Sequence, residues 1–277
     1  MRAVFRGLCY AVLAALLLPA SPATVVAGQT PDNSLAELLN LPQQSEQAGV
    51  VDLLWQAGYK YPGGQFHVLV HFPQGLSEGV DAAVARFAKV QFDEVCDGFL
   101  AIAVDTAEEA QSVIAAALAK NGVFPPVEAH RRSALYFSVT NYQLHRPSSR
   151  YVSLHFMSSE YTGGAHGNRS HIVLSFDLDS GKRLEFDDLF ADKSALPKLI
   201  NRIADGVQAL KDAGTDPVSR DPATIDANMD RIALTAEGLR VVYAPYEMGS
   251  YAEGEFIVDI PRAELSGLGI KTDFWHD

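Results

Sequence analysis

Three consecutive stretches in the middle of the chain alternate apolar and polar residues: Leu135, Phe137 and Val139, then Val152, Leu154 and Phe156, then Ile172, Leu174, Phe176 and Leu178. A period of two gathers the apolar side chains on one face of a strand. The connections between these runs are too short for crossover helices, so neighbouring runs are expected to pair antiparallel. A sheet built this way has an apolar face that another layer must cover. No other feature of the sequence narrows the fold as far.

The covering layer is written on either side. Val80, Ala83, Val84, Phe87 and Val90 recur at helical spacing, which predicts a helix from about Val80 to Phe92. Thr106 and Glu109 form a capping box for a second helix that Asn121-Gly122 would end. A third is expected from a Ser194 cap to the region of Gly214, with Leu196, Leu199, Ile200, Ile203, Val207 and Leu210 on one face. Phe66–Phe72 is a further expected strand, closed by Pro73 and Gly75, and Leu239–Tyr243 and Phe256–Ile260 complete the strands. Strands grouped apart from helices imply an α+β fold: antiparallel sheets with helices packed on one face, in two closely associated subdomains, 49–160 and 161–277.

Residues 1–27 have the form of a secretory signal peptide. Arg2 and Arg6 precede an apolar run from Leu8 to Leu18, Pro19 breaks it, and Val25-Val26-Ala27 offers small residues for cleavage. The run is too short to span a bilayer, so the mature chain is expected to have no membrane span and to be periplasmic or secreted. Residues 28–48 are polar and punctuated by proline, as in a flexible leader. Cys9 would leave with the signal, and Cys96 by itself can close no internal disulfide. The full chain carries a net charge of −12, and removal of the two signal arginines would take it to −14. Such a field disfavours nucleic acid and suits a basic protein partner.

Two segments could carry recognition or chemistry. The first is Glu160–His171, EYTGGAHGNRSH. Its glycines permit a sharp reversal between strands but leave the histidines unexplained. Zinc sites place histidines one helical turn apart or combine Cys and His at fixed spacings, and neither pattern occurs here. No metal or other cofactor is therefore expected, with His166, His171 and Glu160 as the alternative ligand set. The second is Tyr243–Gly254, YAPYEMGSYAEG, which sets tyrosines and acids in a loop between two strands. Tyrosine gives a large contact area for little rotamer entropy, which suits a binding loop. No G-x-S-x-G elbow, S-x-x-K motif or glycine-rich phosphate loop occurs, so no catalytic residue is assigned.

Taken together, YTGGAHGN, the following HIVLSFDLDSGKRLEFDDLF and the later VVYAPYEMGSYAEGEFIVDIP resemble the C-terminal domain of unknown function found in RsiV-like anti-sigma factor ectodomains and PdaC-like peptidoglycan deacetylases. The segment from FHVLVHFP to ALYFSVTNYQLHRPSSRYVSLHFMSSEY is similar to the domain that usually precedes it, so the resemblance covers about residues 60–270. It implies an α+β protein of the bacterial cell envelope. In the anti-sigma members the ectodomain binds lysozyme through its loops, and the matching positions here are Tyr161, Gly163, Gly164, His166 and Asn168 with Pro245, Tyr246, Glu247 and Tyr251. The implied role is a non-enzymatic binding protein for a lysozyme-like enzyme or a peptidoglycan saccharide. The alternative is a metal-assisted hydrolase or deacetylase acting on peptidoglycan, although the separate deacetylase domain with its metal-binding histidines has no counterpart here.

Overall fold

The computed structural model describes residues 49–61, 64–103, 134–163, 165–211 and 217–277. The expected signal peptide, the leader and the second helix lie outside these residues. The first sheet has five strands in the order β1 (Val51–Tyr61), β2 (Gly64–Gln74), β3 (Ala134–His145), β4 (Tyr151–Tyr161) and β5 (Asn168–Asp177). The alternating runs of the sequence are β3, β4 and β5, paired antiparallel without a break in register. One pair departs from the antiparallel expectation, because β2 and β3 run parallel. The helix α1 (Glu78–Ala103) follows β2 and turns the chain back, so β3 can start from the same end of the sheet.

Even-numbered residues of β2, β4 and β5, among them Val68, Val70, Leu154, Phe156 and Leu174, form a core with Val80, Val84, Ala88, Phe92 and Phe99 of α1. The helix runs beyond its expected end at Phe92 because Cys96 and Phe99 extend the same buried stripe. Burial pushes the Cys96 thiol up to about 12, which leaves it protonated and inert near neutrality.

A second, antiparallel sheet of three strands contains β6 (Ile232–Thr235), β7 (Gly238–Tyr243) and β8 (Phe256–Pro261). Its outer face packs under α2 (Leu196–Leu210), where Leu199, Ile200, Ile203 and Val207 meet Leu239, Val241, Phe256 and Val258. Asp192, not Ser194, caps the turn that leads into α2: its carboxylate accepts from Ser194 N. Asp187 and Asp188 lie in a short helical turn, and Asp188 accepts from Glu185 N, a capping role. The two large cores divide the chain between Leu178 and Leu184, so β5 belongs with the first sheet. The boundary drawn at 160/161 falls within that sheet, at the end of β4.

The inner faces of the two sheets meet across β4, β5, β6 and β7. Val173, Ala233 and Val242 form a small apolar contact there. The rest of the seam is polar. Ser153 Oγ accepts from Leu234 N at 2.9 Å and lies 2.6 Å from Ser175 Oγ, which satisfies a backbone donor that the edge strand β6 would otherwise bury unpaired. The layers therefore stack as α1, first sheet, second sheet, α2.

Candidate functional site

The β4–β5 hairpin and the loop after β7 emerge at the same rim. Gly163 takes φ +94°, and a Cβ on Gly167 would stand 2.7 Å from Glu160 O, so the reversal requires glycine at both positions. Gly164 lies outside the described residues. The turn delivers His166 onto the opposite loop, where its ring stacks on Tyr251 with centroids 3.8 Å apart and planes 20° from parallel. Tyr246 completes the group, 5.5 Å from Tyr251 and 6.2 Å from His166 between centroids.

The hydrogen bonds fix the histidine tautomer. His166 Nδ1 lies 2.9 Å from Gly167 O, an acceptor only, so Nδ1 carries the proton. Nε2 is then left to accept from Tyr246 Oη at 3.3 Å, across 80 residues of sequence. Tyr246 is 60% exposed and has φ +73°, a left-handed conformation that costs a residue with a Cβ roughly 1–2 kcal/mol. The local turn accounts for it: Glu247 N donates to Ala244 O at 3.2 Å, with Pro245 at the second position and Tyr246 at the third, where such a turn takes positive φ.

The loop is held from behind. Glu247 Oε2 accepts from Ala244 N and from Arg231 Nη1, both at 2.6 Å. Its carboxylate therefore braces the turn from the Arg231 side. Glu253 accepts from Ser250 N and Oγ, which draws its acid below the usual carboxylate range. Lys211, at the end of α2, donates to Met248 O at 2.9 Å and stands 3.4 Å from Glu253.

Other expected site residues are distributed around this group. Tyr161 stacks on Phe137 at the end of β4, with centroids 5.9 Å apart. Asn168 is exposed at the start of β5, opposite Glu160. Pro245 lines an open cleft of about 570 Å³ with Tyr251, Arg169, Glu255, Leu210 and Ile257. Arg169 and Glu255 were not singled out in the sequence. Arg169 lies inside the first motif and Glu255 directly follows the second, a signal that two charges flanking aromatic loops could have given.

The alternative metal ligands do not assemble. The β4–β5 register is continuous and pairs Glu160 with Asn168 and Met157 with His171. Alternation then sends Glu160 to the α1 side of the sheet and His171 to the opposite side. His166 is exposed in the turn, while the His171 side chain is only 3% exposed. Among the described residues no group of three or more His, Cys, Asp or Glu side chains is placed to hold a metal ion.

His171 instead joins a polar chain that runs from the inter-sheet seam to the cleft. Its Nδ1 lies 2.9 Å from His155 Nε2, and its Nε2 lies 3.6 Å from Glu255, which also pairs with Arg169 at 3.0 Å. At 3.6 Å the contact with Glu255 is chiefly electrostatic, but it favours a proton on His171 Nε2. Nδ1 then accepts from His155 Nε2–H. His171 first, and Arg169 after it, hold the Glu255 carboxyl down at about 2. Burial, reinforced by His171, His145 and Arg240, lowers His155 to about 3, so its ring is neutral near pH 7.

Residues 187–263 match the family model DUF3298, described as a protein of unknown function. The match takes in α2, the second sheet and the loop with Tyr246 and Tyr251. The matched segment overlaps the C-terminal part of the stretch on which the sequence resemblance rests. Among solved structures, the chain is similar to a member of the DUF3298 family from Bacteroides fragilis, at 16% identity and a TM-score of 0.50, over 80% of this chain and 94% of that one. A DUF3298 family protein from Pseudomonas aeruginosa is similar at 14% identity and a TM-score of 0.47, over 83% and 97% of the two chains. At such identity the first likeness establishes the α+β fold and nothing about activity. No curated protein matches the chain.

Proposed function

We propose that this chain, which matches the DUF3298 family model over residues 187–263, is an exported, non-enzymatic binding protein of the bacterial cell envelope, and that the rim formed by Gly163–Asn168 and Pro245–Tyr251 is its recognition surface. One observation carries the reading. His166, Tyr246 and Tyr251 are assembled from loops 80 residues apart into one aromatic group, with Tyr246 presented at 60% exposure from the tight turn Ala244–Glu247. Rigid aromatic rings with a braced backbone suit a protein interface, because little entropy remains to be lost on binding.

The net charge of −12 favours a basic partner, and a cationic lysozyme is the partner that the sequence resemblance supports. The cleft of about 570 Å³ beside Tyr251 favours a second reading, a peptidoglycan saccharide, since its size is ordinary for a small-ligand site. Surface plasmon resonance against a basic lysozyme, and separately against soluble peptidoglycan fragments, tests both. For lysozyme, affinity should fall steeply with added salt, and Tyr246→Ala and Tyr251→Ala should each cost about 1–2 kcal/mol, roughly five- to thirtyfold in Kd. Absence of binding at low ionic strength rejects the lysozyme reading. Binding that ignores both tyrosine substitutions rejects the rim.

A further inference from the structure

We propose that the buried pair His155–His171 is a one-proton latch on the recognition rim: as the pH falls, an added proton leaves its charge on His171, beside Glu255, and tightens the loop that carries Tyr251 onto the first sheet. The inference rests on the reading of the rim as a recognition surface and adds its regulation. The latch spans the two sheets. His155 on β4 and His171 on β5 belong to the first, whereas Glu255 stands between the Tyr251–Glu253 turn and β8 of the second. Glu255 is held from β5 twice, by Arg169 at 3.0 Å and by His171 Nε2 at 3.6 Å. Tyr251, a few residues before it, stacks on His166. The base of this loop is therefore set by Glu255 and its tip by the aromatic group.

The pair has room for one more proton. Both rings are sealed from water, His155 at 1% exposure and the His171 side chain at 3%. In the neutral pair His155 Nε2–H donates to His171 Nδ1 across 2.9 Å and His171 Nε2–H faces Glu255, so the nitrogen left basic is His155 Nδ1. A proton that enters there makes His155 cationic. The bridging proton then moves from His155 Nε2 to His171 Nδ1, which leaves His155 neutral with its proton on Nδ1 and His171 doubly protonated. One proton is gained in all, and the charge has crossed one hydrogen bond. The surroundings decide where it rests. Burial first, then His171, His145 on β3 and Arg240 on β7, oppose a cation on His155. Arg240 is paired with Asp259 at 2.8 Å, and His145 lies among Arg240, Glu237 and Asp259. His171 instead faces the Glu255 carboxylate, with Arg169 on its far side. A cation there turns the 3.6 Å contact into an ion pair, which is stronger where water is partly excluded.

Nitrogen-15 ring spectra of the histidines in the purified chain, followed from about pH 7.5 to about pH 5, test the latch without a ligand. His171 should become doubly protonated while His155 stays neutral and exchanges Nε2–H for Nδ1–H. Amide protection of residues 251–255, corrected for the intrinsic pH dependence of exchange, should rise on the order of tenfold over the same range. Glu255→Gln keeps an acceptor for Arg169 but removes the charge, so both changes should vanish in it. A change that comes from His166 at the tip should persist in that variant. Wild-type spectra in which His171 stays singly protonated overturn the proposal, and so does protection that rises equally in Glu255→Gln. A basic lysozyme then reads the consequence for the rim: its dissociation should be roughly three- to tenfold slower at about pH 5.5 than at about pH 7.5 in wild type and alike at both in Glu255→Gln. Equal dissociation rates in wild type overturn the regulatory role. Absence of lysozyme binding at both pH values counts against the recognition reading, whereas the latch stands or falls on the ligand-free spectra.

Discussion

Gly206 sits in the middle of α2, where glycine is a poor choice for the helix, and Gly206→Ala isolates the reason it is there. A Cβ at this position would lie 2.3 Å from Val258 Cγ1, 3.1 Å from Cγ2 and 3.3 Å from Cβ, all on the facing strand β8. Val258 is 3% exposed and branched at Cβ, so it has little freedom to swing aside. Alanine gains about 1 kcal/mol over glycine in a helix interior, but forcing a methyl into a packed contact costs about 1–3 kcal/mol. The expected net effect is a destabilisation of about 1 kcal/mol, read as a shift of roughly 0.5 M in the urea midpoint at an ordinary slope. Val258→Ala removes the two nearer atoms, Cγ1 and Cγ2, and leaves the Cβ contact at 3.3 Å, which a shift of a few tenths of an ångström relieves. In that background the helix-propensity gain should be uncovered, so Gly206→Ala should stabilise by up to about 1 kcal/mol, a coupling near 2 kcal/mol with reversal of sign. Lys211, one helical turn further on, ties α2 to Met248 O, so the single variant should also speed amide exchange in the 245–251 loop and the double variant should not. The same sign of effect in both backgrounds would refute the reasoning, because helix propensity and not the close approach of α2 to β8 would then dominate.

Two further outcomes follow from the site. Tyr246→Gly releases the left-handed strain at φ +73° while deleting an exposed ring, so stability in urea should rise by about 0.5–1 kcal/mol; a fall in stability would show that the ring contributes packing. The second concerns pH. His155 is lowered from 6.5 to about 3, so the unfolded chain takes up its proton first, and stability is full above about pH 6.5 and lost as the pH falls below it, by about 1.4 kcal/mol per unit. Glu255, lowered from 4.5 to about 2, adds its own loss below about pH 4.5. Urea midpoints measured between these pH values should decline in wild type and decline less in His155→Gln; parallel profiles would exclude His155 as the cause.

Much of the architecture was legible because its signals are local. The alternation in β3, β4 and β5 and the apolar stripe of α2 survive any tertiary arrangement, since each requires only that one face be covered. β1 and β6 were not expected. β1 interrupts its alternation at Leu53-Leu54 and Gly58, and β6 is four residues buried throughout, a run too short to be distinguished by period. The parallel pairing of β2 with β3 was equally hidden, because adjacency in the sheet depends on the route taken between the two strands.

The site divides along the same line. Sequence alone determined which two loops carry the unusual residues, that glycine lets the first reverse sharply, and that the chain is strongly acidic. Tertiary structure decided which of those residues meet: His166 on Tyr251 and Tyr246, His171 on His155 and Glu255, and Glu247 turned inward to Arg231. The physical reason is that strand alternation assigns a side chain to a face, whereas the neighbour it finds there is set by how the second sheet lies across the first. A period of two can place His171 and Glu160 on opposite faces once the register is known, but only the packed sheets fix that register.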